Sequence, residues 1–196
     1  MLLSIYNLKL LICIIMSAIV IKVIDNAIDY NDGYVDEGRL ISERGILPYI
    51  VILISIACIL NTSVTVSIIF SAYVIGMFED LKRQLTFKLK GYQESIIILI
   101  IGILFLGIKE MGSSLSIILA IQFIDDFIDI KKDKLLGNKN YVLKFGKIEI
   151  FIFTLILILI SIKLSLVKAV TSFVVFFVFQ YLEKFVSWGN PNEYSD

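Results

Sequence analysis

The sequence predicts an all-α fold, a polytopic transmembrane helical bundle, on three observations. Of 196 residues, 58% are hydrophobic and the mean hydropathy is +0.91, where soluble domains hold about 45–50% apolar residues. The apolar residues fall in long runs of Ile, Leu, Val and Phe separated by polar punctuation. The basic residues segregate to alternate connections between those runs. Only helices and closed barrels satisfy their backbone in lipid, and the runs lack the alternation of a barrel strand.

Seven apolar segments follow in order, at roughly 3–29, 46–60, 62–79, 94–109, 112–130, 148–163 and 165–186. The shorter ones extend into their flanks to reach the ~20 residues of a span. The first has no basic stretch before it, so it reads as a retained span and not a signal peptide. Only two prolines, Pro48 and Pro191, are present to interrupt helices. The stretches "LNTS" (60–63), "KEMGSS" (109–114) and "KLSLVK" (163–168) read as tight helix hairpins. No soluble domain, linker or low-complexity region stands out, so residues 1–196 are expected to form one transmembrane domain.

Seven spans place the two chain ends on opposite sides. One side carries 13 Lys and Arg, in loops 31–45, 80–93 and 131–147 and the C-terminal tail. The other carries 3, namely Lys109, Lys163 and Lys168. The positive-inside rule assigns the basic side to the cytoplasm, with the N-terminus outside and the C-terminus inside a cell membrane.

Composition also removes chemistries. There is no histidine, which excludes His-based acid–base catalysis, His-activated nucleophiles and most zinc sites. Cys13 and Cys58 both sit in apolar runs and read as small packing residues, with neither a disulfide nor a metal pair favoured. With a net charge of zero, no nucleic-acid partner is expected.

Two acidic constellations stand out. In "VIDNAIDYNDG" (23–33), Asp25 and Asp29 are four apart, Asn26 and Asp29 three apart, and Asp32 follows. In "DDFIDIKKD" (125–133), Asp125, Asp129 and Asp133 repeat at four, and Asp126 lies three before Asp129. At these spacings each cluster projects several carboxylates from one helix face. Like charges so placed repel, and a carboxylate deep in a bilayer costs about 2.5–3.5 kcal/mol on insertion scales. A divalent cation offsets both. All-oxygen ligands suit Mg²⁺, which takes one or two carboxylates plus substrate phosphates. A basic stretch, "LKRQLTFKLKG" (81–91), lies on the same side. Its cations, with Arg39 and Arg44, are candidates to neutralise a departing diphosphate. Taken singly, an acidic pair reads as a cap or solvated collar, and loop lysines as topology determinants. The conjunction of two aspartate clusters and a basic loop on one side points to a site.

This pattern resembles the UbiA superfamily of intramembrane prenyltransferases, whose motifs have the forms N-D-x-x-D-x-x-x-D and D-x-x-x-D. Asp25-Asn26-Ala27-Ile28-Asp29 is similar to the first, with the Asp–Asn order reversed. "GRLISERG" (38–45) is similar to the family's R-P-L-x-x-G stretch, with Leu40 in place of proline. "AYVIGMFEDLKRQLTF" (72–87) resembles its tyrosine-containing helix ending in L-K-R, and "DDFIDIKKDKLLGNKNYVLKFG" (125–146) its second aspartate motif. The likeness covers roughly residues 20–150.

The resemblance implies an all-helical horseshoe around a central cavity, with Mg²⁺ as cofactor and prenyl diphosphate and a small, probably aromatic, acceptor as substrates. It implies metal binding by Asp25, Asp29, Asp125 and Asp129. Asn26, Arg39, Lys82 and Arg83 would hold the diphosphate, Lys82 and Arg83 would stabilise its departure, and Asp29 or Asp133 would take a proton. Tyr30, Tyr73 and Phe123 would stabilise the allylic cation. A terpene cyclase of the same fold, and a non-catalytic subunit or cation-pathway protein, are the alternatives. Family members commonly have nine spans and place the first motif on the second helix. Here seven are drawn and the motif falls on the first, so a homodimer or partner subunit would complete the walls. "DYNDG" (29–33) is similar to the opening of the CDP-alcohol phosphotransferase motif, but Asp36-Glu37 stands where that motif needs Ala-Arg.

Overall fold

The described residues are almost entirely helical. The computed structural model describes the backbone of residues 2–31, 43–79, 90–137 and 139–188. It describes side chains for 6–24, 47–76, 90–135, 137, 139–182 and 185. Its helices are α1 (Leu2–Asn31), α2 (Glu43–Glu79), α3 (Gly91–Leu106), α4 (Ile108–Ile128), α5 (Ile130–Leu136), α6 (Tyr141–Phe145), α7 (Lys147–Leu164) and α8 (Leu166–Trp188).

Three of the breaks between apolar helices are single residues. Asn61 interrupts α2 with extended dihedrals (φ −159°, ψ 94°). Its side-chain Oδ1 accepts from the backbone N–H of Val64 at 3.2 Å, which caps the second half of α2. Ser165 separates α7 from α8 in nearly the same conformation (φ −157°, ψ 90°). Both breaks fall inside turns expected from the sequence. The third does not. The expected turn at 109–114 is displaced to Gly107, which alone separates α3 from α4 at φ 86°, ψ 156°, a region open essentially only to glycine. Lys109 and Glu110 therefore belong to the first turn of α4 and not to a loop.

Two apolar clusters hold the bundle. In one, Leu10, Cys13 and Ile14 of α1 meet Val64 and Ile68 of α2 and Val175 of α8. In the other, Phe123 of α4 meets Val142 of α6 and Ile150 of α7. Between them α4 presents small residues inward, Ser113, Ser114, Ser116 and Ala120, and such residues let helix backbones approach closely in membranes. The α3–α4 contact is tight in the same way: a Cβ added at Gly102 would lie 2.9 Å from the Met111 sulfur. Both cysteines are free. Cys13 is buried, with Sγ 2.9 Å from Thr65 Oγ1.

The outside is apolar. Ile59, Leu104, Phe105, Ile108 and Leu159 stand exposed on α2, α3, α4 and α7, with Phe105 at 83%. Patches of this kind are rare on soluble monomers. Three segments, Tyr6–Ile24, Leu47–Gly76 and Ile108–Ile128, are long and apolar enough to cross a membrane. Gly91–Leu106 and Leu166–Leu182 are apolar but shorter.

Gly107 and Gly76 make a matched test, since neither has an atom within 4 Å of where a Cβ would stand, but only Gly107 has positive φ. Gly107→Ala is expected to destabilise by about 1–3 kcal/mol from backbone strain alone. Helical Gly76→Ala should change stability by less than about 1 kcal/mol, in the stabilising direction. Unfolding by SDS titration from mixed micelles measures both.

Candidate functional site

The end of α4 is where the second aspartate cluster lies, and the backbone there doubles back. Asp129 (φ −96°, ψ 10°) offsets α4 from α5, while its N–H still donates to Asp125 O and its own carbonyl accepts from Asp133 N, both at 2.9 Å. Gly137, in the left-handed region at φ 74°, ends α5. Asn140 then starts α6. Its Oδ1 accepts from the N–H groups of Val142 (2.9 Å) and Leu143 (3.1 Å).

The same side chain ties α6 to α4. Asn140 Nδ2 donates to the backbone carbonyl of Asp126 and to Asp133 Oδ2, each at 2.8 Å. Asp126 Oδ2 in turn accepts from the Tyr141 N–H at 2.8 Å. Asp126 and Asn140 are both buried, and a buried carboxylate is tolerated when its oxygens are hydrogen-bonded in this way.

The four aspartates therefore divide. Asp126 and Asp133 are engaged by the chain returning through α6. Asp125 faces α8, where it accepts a 2.5 Å hydrogen bond from Gln180 Nε2. Asp129 and Asp133 act electrostatically on Asp125, as do the cations Lys22 of α1 and Lys132 of α5. Asp25, Asn26 and Asp29 follow Lys22 at three, four and seven residues, the spacing of one helix face.

The other expected site residues distribute as follows. Asp25, Asn26, Asp29 and Tyr30 continue α1 as backbone; their side chains lie outside the described residues, as do Arg39, Lys82 and Arg83 altogether. Tyr73, near the end of α2, donates its hydroxyl to Glu94 Oε2 of α3 at 2.6 Å. Phe123 is buried on the α6–α7 side of α4, edge-on to Tyr141 (5.6 Å between centroids) and Phe153 (6.5 Å). Its ring thus lies in the apolar core with Val142 and Ile150, and not on the side where Asp125 meets Gln180. Among the described residues, no three His, Cys, Asp or Glu side chains gather as a metal site. The carboxylates of the cluster that the returning chain does not engage are Asp125 and Asp129, one helical turn apart.

Sequence reasoning missed Gln180 and Asn140. The signal for Gln180 was a single amide in the apolar run "VVFFVFQYL". For Asn140 it was a capping residue directly before a short apolar turn. It also left Lys168 and Glu110 in outer turns. Lys168 is buried in α8 and pairs with Glu110 of α4 at 2.6 Å. Compared with family models, curated proteins and solved structures, the chain matches none.

Because Asn140 caps α6 and anchors two aspartates, Asn140→Ala should destabilise the protein by about 2 kcal/mol, combining a lost cap with an unsatisfied buried acceptor. Denaturant unfolding in micelles would register it. Lys131→Ala, at an exposed position on α5, should shift stability by no more than about 0.5 kcal/mol.

Proposed function

We propose that the chain is a magnesium-dependent intramembrane prenyltransferase, moving a prenyl group from prenyl diphosphate to a small aromatic acceptor at the cytoplasmic side of a UbiA-type, horseshoe-shaped bundle. The observation that supports this reading is that Asp125 and Asp129 stand one turn apart at the end of α4, away from the contacts that the returning chain makes with Asp126 and Asp133. A second aspartate pair, Asp25 and Asp29, has the same four-residue spacing along α1.

In this reading Asp125 and Asp129 bind from α4, Asp25 and Asp29 from α1, and Gln180 orients the Asp125 carboxylate. Magnesium, when bound, neutralises diphosphate charge and makes it a better leaving group. Lys82 and Arg83 receive the departing diphosphate, with Arg39 and Asn26 holding it beforehand. The allylic C–O bond breaks, the diphosphate leaves with the electron pair, and the cation left behind is stabilised by the rings of Tyr30 or Tyr73. A ring carbon of the acceptor attacks and then loses its proton. Asp29 is the better base for that proton, because Asp133 is already committed to Asn140.

A second reading has an observation in its favour. Three of the four carboxylates at the end of α4 already serve structure: Asp126 and Asp133 through α6, and Asp125 through Gln180. This is what a non-catalytic membrane subunit would retain. A cation pathway is less favoured, because the bundle buries the Lys168 ammonium between α2, α4 and α8.

Purified protein with Mg²⁺ and labelled prenyl diphosphate is expected to bind the label, and to turn it over when an aromatic acceptor is added. Asp25→Ala and Asp129→Ala should each abolish both. Turnover without added acceptor would identify a cyclase. Binding unchanged in both variants, or absent in the wild type, would reject the enzyme reading in favour of the subunit.

A further inference from the structure

At the other end of α4, a lysine is held inside the bundle. Lys168 Nζ donates to Ser114 Oγ (2.5 Å), Glu110 Oε1 (2.6 Å), Ser67 Oγ (3.1 Å) and Ser113 Oγ (3.2 Å), with the Glu110 carbonyl at 3.5 Å. Four oxygens lie within hydrogen-bond distance of a group that has three hydrogens. They come from two helices and the lysine from a third, each shortly after one of the single-residue breaks: Ser67 after Asn61, the α4 residues after Gly107, and Lys168 itself after Ser165.

The hydroxyls have acceptors for their own hydrogens. Ser67 has the Val64 carbonyl at 3.0 Å and Glu110 Oε1 at 3.3 Å, Ser113 the Glu110 carbonyl at 2.8 Å, and Ser114 has Ser67 Oγ at 2.7 Å. Each therefore turns a lone pair toward the ammonium. Three neutral oxygens and one carboxylate, with more acceptors than the ammonium has hydrogens, make a coordination shell of the kind that surrounds a partly dehydrated monovalent cation. One turn further along α8, the Ser172 hydroxyl is buried with no hydrogen-bond partner, a second polar group facing the interior there.

We propose that this cage is a built monovalent-cation site, that Lys168 is its tethered occupant, and that the site takes free ammonium or potassium once the tether is removed. The tethered charge holds the starts of α4 and α8 and the second half of α2 together. The cage stands apart from the aspartate cluster, since Glu110 and Asp125 are about 22 Å apart along α4 at ~1.5 Å per residue. It does not depend on the prenyltransferase reading.

The test is thermal unfolding of the full chain in detergent, in choline, potassium and ammonium chloride at matched ionic strength. Wild type should show one midpoint in all three salts. Lys168→Ala should melt lower in choline and recover by about 3 °C or more in saturating ammonium or potassium. The recovery should vanish in Lys168→Ala/Glu110→Gln, which lacks the carboxylate. It should also vanish in Lys168→Met, whose side chain fills the cage. Equal midpoints for Lys168→Ala in every salt, or the same recovery in wild type, would overturn the proposal. Should Lys168→Ala not accumulate, Lys168→Ser carries the comparison. If neither variant is recovered by purification in ammonium, the proposal is likewise rejected.

Discussion

The constraint beneath this architecture is that a backbone in lipid must satisfy its own hydrogen bonds. It explains why the apolar helices are interrupted by single residues. At Asn61 the side chain replaces the missing acceptor for Val64. At Gly107 the amide still donates to Ile103, and at Ser165 to Ser161, each at 2.9 Å. The chain changes direction while leaving few peptide groups open. The second requirement is that polar side chains carried inward find partners, and the serines and threonines mostly find them in the carbonyl three or four residues back.

That rule sorts the charges. Lys168 is buried against the half-buried Glu110 and three serines. Asp126 is buried against a backbone amide. The lysines at 131, 132, 134, 139 and 144 are exposed beyond the end of α4, where amphipathic stems can cover apolar surface while the charged heads stay in water.

Much of the helical order was legible in the sequence because apolar runs record burial in lipid directly. The breaks at Asn61 and Ser165 coincide with polar punctuation. The break at Gly107 does not, since what fixes it is a backbone conformation reserved for glycine, and the neighbouring Lys109-Glu110 looked the more obvious turn. Reading charges as turn markers also hid the Lys168–Glu110 pair, which depends on a partner 58 residues away. The aspartate cluster was visible by spacing, but its division was not. Periodicity treats residues 125–133 as one continuous helix, whereas the offset at Asp129 and the return of the chain through Asn140 give Asp126 and Asp133 one set of partners and Asp125 another. Long-range contacts of that kind leave no local trace.

The final turn of α4 has one more consequence. Its peptide dipoles sum to a partial negative charge at that end. The turn carries Asp125 and Asp126 and no basic residue to offset them. Backbone and side chains thus pull in the same direction. The cations set against that field, Lys22 of α1 and Lys132 of α5, come from outside the turn.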